Sequence, residues 1–455
     1  MSMKFGRFSL ITTPSPVGER YRQGWLPLAG LLAVLFYTAT YLLSEEIARY
    51  SKPLILLLGF GGYFYLGGRL RRTGPMWIFL AALAIVLLSW GLSHLHHPQW
   101  AEDSPKVHRL TNWTVFIAVA WLLGGNSRWT LLTWFVGLVA LLATPWILGN
   151  GLNEWLAGLR GRRIDFGINN AQHTAMLFGI GFLGIIAFSR RFLVTGPWRA
   201  ARMLFWLAGL VFFGVGVIIT QTRGIWLGES LAMLVLFGSL GVWIFRTPSR
   251  HKKAKIIGFS LATAIALIGL ITVELGNVVE KRLHSEKGII DGLLSGEILD
   301  SQRGSIAYRY NSWEAAIPWI AERPIVGWGG NGRGLVLAHS EGLPKWFTSR
   351  TGHLHSSYVD ILVNFGMLGL TLFLGLLFWT ALRSFQAWKR GFMGGDMLTF
   401  YLAFTAFWLV VNITESYMFY STGQYVLSLV LGGMVTHIWR MQGSNNKNNV
   451  SGESM

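Results

Sequence analysis

Two histidines, His353 and His355, stand two residues apart in TGHLHSSYVDILVNFGMLGL, directly before an apolar run of membrane length. An imidazole titrates near neutrality and can draw a proton off a hydroxyl as a general base. Arginine grips phosphate with paired hydrogen bonds, and several arginines occupy similar edges of apolar runs. Arg223, in VIITQTRGIWLGES, lies between two such runs with almost no loop; Arg309 lies in AYRYNSW and Arg333 in GGNGRG. Arg160, Arg162 and Arg163 form a further cluster, and Glu415, in VNITESYMF, could pair an arginine or orient a histidine. Ionisable groups at a membrane edge are costly and are candidates for function. The set describes a basic pocket with one candidate base, His355, which neighbouring arginines would keep neutral and available. Such a pocket suits a membrane-embedded donor that carries phosphate, with chemistry at the adjacent carbon. Plainer readings stand beside it: Arg223 snorkelling to headgroups, Arg309 and Arg333 solvated, and His355 structural.

The elements that must position these residues follow from composition. Of 455 residues, 52% are hydrophobic and only 13% charged, against about 25% charged in soluble proteins. The apolar stretches are of helix-spanning length, about 20 residues, rather than the short alternating strands of a barrel. The fold class is therefore all-α and polytopic, with about twelve transmembrane helices: 26–43, 53–68, 76–93, 111–125, 129–148, 171–189, 203–220, 224–245, 256–274, 356–382, 397–414 and 419–439. The polar start runs into the first span with no evident small-residue cleavage site, so no cleaved signal peptide is expected. The chain has no cysteine, which removes disulfides, thiolate metal sites and a cysteine nucleophile.

Charge orients the spans. Basic residues mark cytoplasmic loops, and here they gather on the N-terminal tail and on even-numbered loops, as in Arg69, Arg71 and Arg72, or Arg190, Arg191, Arg199 and Arg202. Both termini are then cytoplasmic. The net charge of +18 is read as this orientation signal rather than as a nucleic-acid footprint. The organisation expected is a tail at 1–25, nine spans over 26–274, one large structured extracytoplasmic (periplasmic) loop at 275–355, three spans over 356–439 and a disordered polar tail at 440–455. The large loop is nearly balanced in charge. Within it NSWEAAIPWI reads as a helix from an Asn311 or Ser312 cap, and ERPIVGWGGNGRG as a turn punctuated by proline and glycine. Its glycines could present N–H groups to an anion. HLHHP (His94, His96, His97) with His108 lacks a carboxylate at helical spacing, so no metal site and no cofactor is expected. Asn412-Ile413-Thr414 is a formal glycosylation sequon, discounted at a membrane edge.

Four pieces together resemble the O-antigen ligase and polymerase superfamily of bacterial envelope glycosyltransferases. TQTRGIWLG is similar to its Ser/Thr-Arg-Gly segment opening a span. RYNSWEAAIPWIAERPIVGWGGNG resembles its Arg-x-x-x-Trp stretch followed by a proline–glycine turn. HLHSSYVDILVNFGMLGL resembles its His-Asn-Ser-Tyr and Gly-x-x-Gly signature, with Ser356 where Asn is common, and NITES resembles its late-span Glu. The likeness covers roughly 165–440. It implies metal-independent, inverting transfer of a glycan from undecaprenyl diphosphate, with His355 as base, Arg223 and Arg309 at the diphosphate, and His353 as the second-choice base. Glu415, Arg333 and Arg163 are supporting candidates. A ligase would pass the glycan to lipid A–core; a polymerase would join lipid-linked repeat units. Length, span number, the single large loop and basicity favour the ligase. A transporter or flippase is the rival from another class, disfavoured because the ionisable candidates gather at one face. The partners implied are the lipid-linked donor, the lipid A–core acceptor and membrane lipids, at a bacterial inner membrane with the site facing the periplasm.

Overall fold

The computed structural model describes residues 26–251, 305–340 and 352–452, with isolated positions at 253, 254, 257, 258, 261, 280 and 343. Among the described residues there are helices and no strands. In chain order the principal helices are α1 (Leu26–Thr40), α2 (Glu45–Leu66), α3 (Gly74–His96), α4 (Phe116–Leu123), α5 (Ser127–Ile147), α6 (Leu152–Leu159) and α7 (Ala171–Ala187). They continue with α8 (Arg199–Ile219), α9 (Arg223–Arg246), α10 (Ser305–Glu322), α11 (Gly332–His339), α12 (Ser357–Lys389), α13 (Gly395–Thr414) and α14 (Ser421–Gly452). Six are long and apolar enough to cross a membrane: α3, α5, α8, α9, α12 and α13, while α1 and α7 are shorter apolar helices. Large side chains face outward along them, as with Leu234 (66% exposed) and Phe378 (70%), a surface that water would disfavour and hydrocarbon accepts. The chain is thus a multi-pass membrane protein, all-helical among the described residues. The ninth expected span, 256–274, and much of the expected large loop lie outside the described residues.

Local chemistry explains the element ends. Asn126, Asn170 and Ser356 cap α5, α7 and α12 by accepting N–H bonds of the first turn, which satisfies donors that a helix start leaves open. Helices approach closely where glycine removes a side chain. A Cβ on Gly224 would meet the Thr414 hydroxyl, and one on Gly228 would meet Val411 and Phe407, so α9 and α13 lie against each other.

The expected proline–glycine turn is present, and it has a partner. α12 breaks at Gly366, whose φ of 58° and ψ of −155° are non-helical and cost little only in glycine. Into this break docks the turn after α10: Met367 N–H donates to the Pro324 carbonyl and Leu368 N–H to that of Ile325, while Trp328 and Gly329 N–H groups donate to the carbonyls of Val363 and Asn364. These two amides are engaged by α12, those of Gly327, Gly332 and Gly334 donate to carbonyls of Arg323, Gly329 and Asn331, and Arg333 N–H donates to the Asn364 side chain, so these groups are not presented to an anion as the glycine pattern suggested. Two element ends also differ from the sequence reading. α10 starts at Ser305, ahead of the expected Asn311 or Ser312 cap, and α14 runs to Gly452, beyond the boundary expected at 440.

Candidate functional site

At one end of the bundle, the start of α12, the end of α13 and the link from α13 to α14 bring His353, His355 and Glu415 together. The histidine loop is fixed through Leu354. Its N–H donates to Asp360 Oδ1 at 3.1 Å; its carbonyl accepts from Ser312 Oγ at 3.2 Å and Trp313 Nε1 at 2.9 Å. Helix α10 and the first turn of α12 therefore clamp the residue between the two histidines. His355 itself has φ of +52°, the left-handed region that non-glycine residues occupy only rarely. Such strain persists where surrounding bonds over-determine it, and it gathers at functional sites. The sharp bend turns both rings to one carboxylate.

That carboxylate is Glu415, 1% exposed. Its Oε1 lies 3.3 Å from His353 Nδ1 and its Oε2 3.7 Å from His355 Nδ1. Burial alone would raise the Glu415 carboxyl; the hydrogen-bonding pull of His355, the charges of both histidines and the Ser416 N–H outweigh it and hold the group down at about 2. His353 is pushed down to about 4, chiefly by burial, against the opposing pull of Glu415. Near neutrality Glu415 is then an anion and His353 neutral. His353 Nδ1 also receives the His355 N–H at 3.2 Å and lies 3.3 Å from Ser416 Oγ. His355 has its Nδ1 side toward the carboxylate. An imidazole so placed can take a proton on Nε2 while the carboxylate stabilises the imidazolium, the division of labour of a base and its orienting acid.

Arginines reach this carboxylate's neighbourhood by different routes. Arg309, on α10, donates from Nε to the Thr414 carbonyl at 3.0 Å and from Nη2 to Gln172 Oε1 at 3.1 Å. It thus binds the residue that precedes Glu415. Arg163 donates from Nε to the Thr220 carbonyl at 3.2 Å and from Nη2 to Thr222 Oγ1 at 3.4 Å, closing on the tight turn between α8 and α9. Arg223 is the first residue of α9, next to Thr222, and Gly224 touches Thr414. Arg163, Arg223, Arg309 and Glu415 are thereby joined through Thr222, Gly224 and Thr414. Arg333 is held otherwise: its Nη1 lies 3.1 Å from Asp360 Oδ2, with Asp360 fully buried, and its guanidinium sits 5.3 Å from the Phe419 ring centroid. Arg160 and Arg162 are exposed beyond this set.

Several contributors were not singled out in the sequence. Asp360 lies within the stretch that drew attention to the histidines, but nothing in its spacing distinguishes it from a solvated first-turn acid. Gln172, on α7, holds Arg309 and accepts from the Tyr417 hydroxyl through its backbone carbonyl at 2.9 Å. Asn412, discounted as a sequon, is fully buried; its Oδ1 accepts from Ser357 at 2.6 Å and its Nδ2 donates to the Trp408 carbonyl. His94 and His96 bond backbone carbonyls, while His97 faces Glu322 at 3.5 Å, so that histidine run does not converge on one point.

Residues 208–374 match the sequence model of a family described as O-antigen ligase. The match supports the O-antigen ligase and polymerase superfamily. A search of curated proteins gives no match. The matched stretch contains Arg223, Arg309, Arg333, His353, His355 and Asp360. Glu415, Arg163 and Gln172 lie outside it, so the family stretch supplies both histidines and Arg223, Arg309 and Arg333, while flanking chain supplies the carboxylate that faces the histidines and two struts. His353, His355 and Glu415 also offer donor atoms within 4.8 Å of one another, a spacing that a cation could bridge. A cation there would take the nitrogens facing Glu415 and cancel the carboxylate that supports a base. The two chemistries are mutually exclusive at this trio.

Proposed function

We propose that this protein is an O-antigen ligase: an inverting glycosyltransferase that moves a glycan from undecaprenyl diphosphate to a sugar hydroxyl of lipid A–core at the periplasmic face of the inner membrane. The observation that carries the reading is the buried Glu415 carboxylate facing His355, with Arg309 bound to the adjacent Thr414 carbonyl. In the proposed step His355 Nε2 takes the proton of the acceptor hydroxyl. The acceptor oxygen forms a bond to the anomeric carbon, the bond from that carbon to the diphosphate oxygen breaks, and undecaprenyl diphosphate departs with the electron pair. Arg223 and Arg309 would stabilise the charge growing on the leaving group, a task that fixed cations perform with little reorganisation. Arg163 braces the turn that carries Arg223, and His353 fills the space beside the base.

The test is transfer by purified protein given undecaprenyl-diphosphate-linked glycan, with and without lipid A–core. Glycan appearing on lipid A–core, and lost in His355→Ala, supports the ligase. Longer glycan remaining on the carrier lipid would assign the same site to a polymerase. No transfer in either arm would overturn the enzymatic reading in favour of transport.

A further inference from the structure

Tyr420 closes the link between α13 and α14, and its ring packs on two imidazoles. The ring centroid is 4.7 Å from that of His173, with 76° between planes, and 5.3 Å from that of His353, with 85° between planes. Both are edge-to-face contacts within the range such pairs favour, about 4.5–7 Å. Each imidazole is itself fastened. His173, fully buried in the first turn of α7, has its Nδ1 2.5 Å from Thr422 Oγ1. His353 has Glu415 and Ser416 at its Nδ1. Two fixed rings therefore grip the phenol ring, and with it the axis along which the hydroxyl projects.

Other tyrosines of these elements use their hydroxyls inside the protein. Tyr358 donates to the Leu409 carbonyl at 2.8 Å and Tyr417 to the Gln172 carbonyl at 2.9 Å. Tyr420 is half-buried, and its hydroxyl has no hydrogen-bond partner among the described residues. A protein atom that could compete for it, His173 Nε2, is likewise unpartnered but sealed from solvent, which the half-buried phenol is not. A phenol ionises near pH 10, so at neutrality it offers both an O–H donor and an acceptor. Toward α7, Gln172 stands next to His173 and holds Arg309. Toward α12, only His353 separates Tyr420 from the ring of His355, which lies 4.1 Å from that of His353. The Glu415 carboxylate, 3.3 Å from His353, disfavours a second anion at this place. A neutral hydroxyl suits it.

We propose that Tyr420 contacts the donor sugar joined to the diphosphate, and that its phenol hydrogen-bonds one hydroxyl of that sugar. The proposal rests on the transferase reading, in which Arg309 marks the diphosphate and His355 the attacking hydroxyl. The sugar whose anomeric carbon is attacked lies between those two, and so does Tyr420. A phenol held in one orientation selects donors that carry a hydroxyl where it points, because a sugar lacking it leaves the phenol unmatched.

The test is equilibrium binding of two ligands to the purified protein in phosphatidylcholine nanodiscs, with no acceptor present. One ligand is undecaprenyl diphosphate; the other is the same lipid carrying its glycan. Tyr420→Phe keeps the ring between the imidazoles and removes only the hydroxyl. It should weaken binding of the glycan-bearing lipid by about fivefold, the size of one neutral hydrogen bond, and leave the bare lipid within about twofold. Its unfolding temperature should not move, since no hydrogen bond within the protein is lost. Tyr358→Phe, which does lose one, should unfold at a lower temperature and keep both affinities. Equal weakening of both ligands by Tyr420→Phe would put the contact on the diphosphate and overturn the sugar assignment. Unchanged affinities would overturn the contact, and a lowered unfolding temperature beside them would show the hydroxyl serving His173 instead. Binding is read without turnover, so a failure of the transferase reading, seen in product formation by the unmutated protein, is distinguishable from a failure of the contact.

Discussion

Arg309 and Arg333 both come from the chain that leads up to the histidines, and they are held in opposite ways. Arg309 donates to neutral oxygens, the Thr414 carbonyl and the Gln172 side chain. Arg333 meets a fully buried carboxylate, Asp360, whose other oxygen fastens the backbone of the histidine loop. A carbonyl and an amide oxygen fasten Arg309 to the end of α13 and to α7, whereas a buried carboxylate fixes Arg333 in place. The first arrangement fits a side chain that must act on an anion; the second fits one that builds the site. On the proposed reading, the difference teaches that arginines around one centre divide into those that meet substrate and those that hold the machinery.

The largest effect should come from the residue that both regions serve. His355→Gln should lower kcat for transfer by about 10²–10⁴-fold, the usual contribution of a positioned base, with the fold unchanged by circular dichroism. Retained transfer would remove the centre from which the two arginine roles are defined. Next, Arg309→Gln should cost about 10²–10³-fold in kcat, the scale seen when one transition-state donor is removed, with a small change in unfolding temperature. A loss of stability without a matching loss of turnover would place Arg309 among the structural arginines and erase the contrast.

Asp360→Asn should do the reverse. Breaking a buried pair by removing one charge costs about 3–5 kcal/mol, so denaturant unfolding in detergent should shift strongly while residual turnover tracks the folded fraction. Replacing both partners, Asp360→Leu with Arg333→Met, should recover part of the stability but not transfer, since the Leu354 N–H would still lack its acceptor.

How much of this was legible depended on the kind of residue. Helical class, the stretch break between α8 and α9, and the arginines and histidines followed from apolar run length and from charge standing at run edges, as with Arg223 and His355. The turn at Pro324–Gly329 was visible from its residues, but its docking into the break at Gly366 was not, because pairing across the chain leaves no local signature. Asp360 and Gln172 were hidden for the same reason: each looks like an ordinary first-turn polar residue until folding brings its distant partner, Arg333 or Arg309, against it.

The pH response sharpens the comparison at the trio. His353 sits below the usual histidine value, at about 4, so between roughly pH 6.5 and 4 the unfolded chain takes up a proton that the folded one refuses. Glu415, lowered to about 2, extends the same sign: the unfolded carboxyl protonates first, and stability present above about pH 4.5 is lost as pH falls toward 2. Native stability should therefore decline in two stages on acidification. His353→Gln should flatten the upper stage and leave the lower one, as followed by unfolding midpoints across pH. A rise in stability below pH 6 would contradict the burial that makes His353 neutral.

The smallest expected effect decides what the trio is for. If His355 works as a base, its Nδ1, 3.7 Å from Glu415 Oε2, must keep a proton directed at that carboxylate, and a cation would displace that proton. Transfer by protein treated with a chelator and then assayed in metal-free buffer should change by less than about twofold, within the range of ordinary surface perturbations and far from the 10²-fold scale of a lost catalytic group. Zinc added to excess should inhibit, because His353, His355 and Glu415 offer ligand atoms within 4.8 Å of one another. Activity lost on chelation and regained with one divalent cation would reverse the assignment. Glu415 would then be a ligand instead of an orienting acid, and the arginines would share the leaving-group charge with a metal.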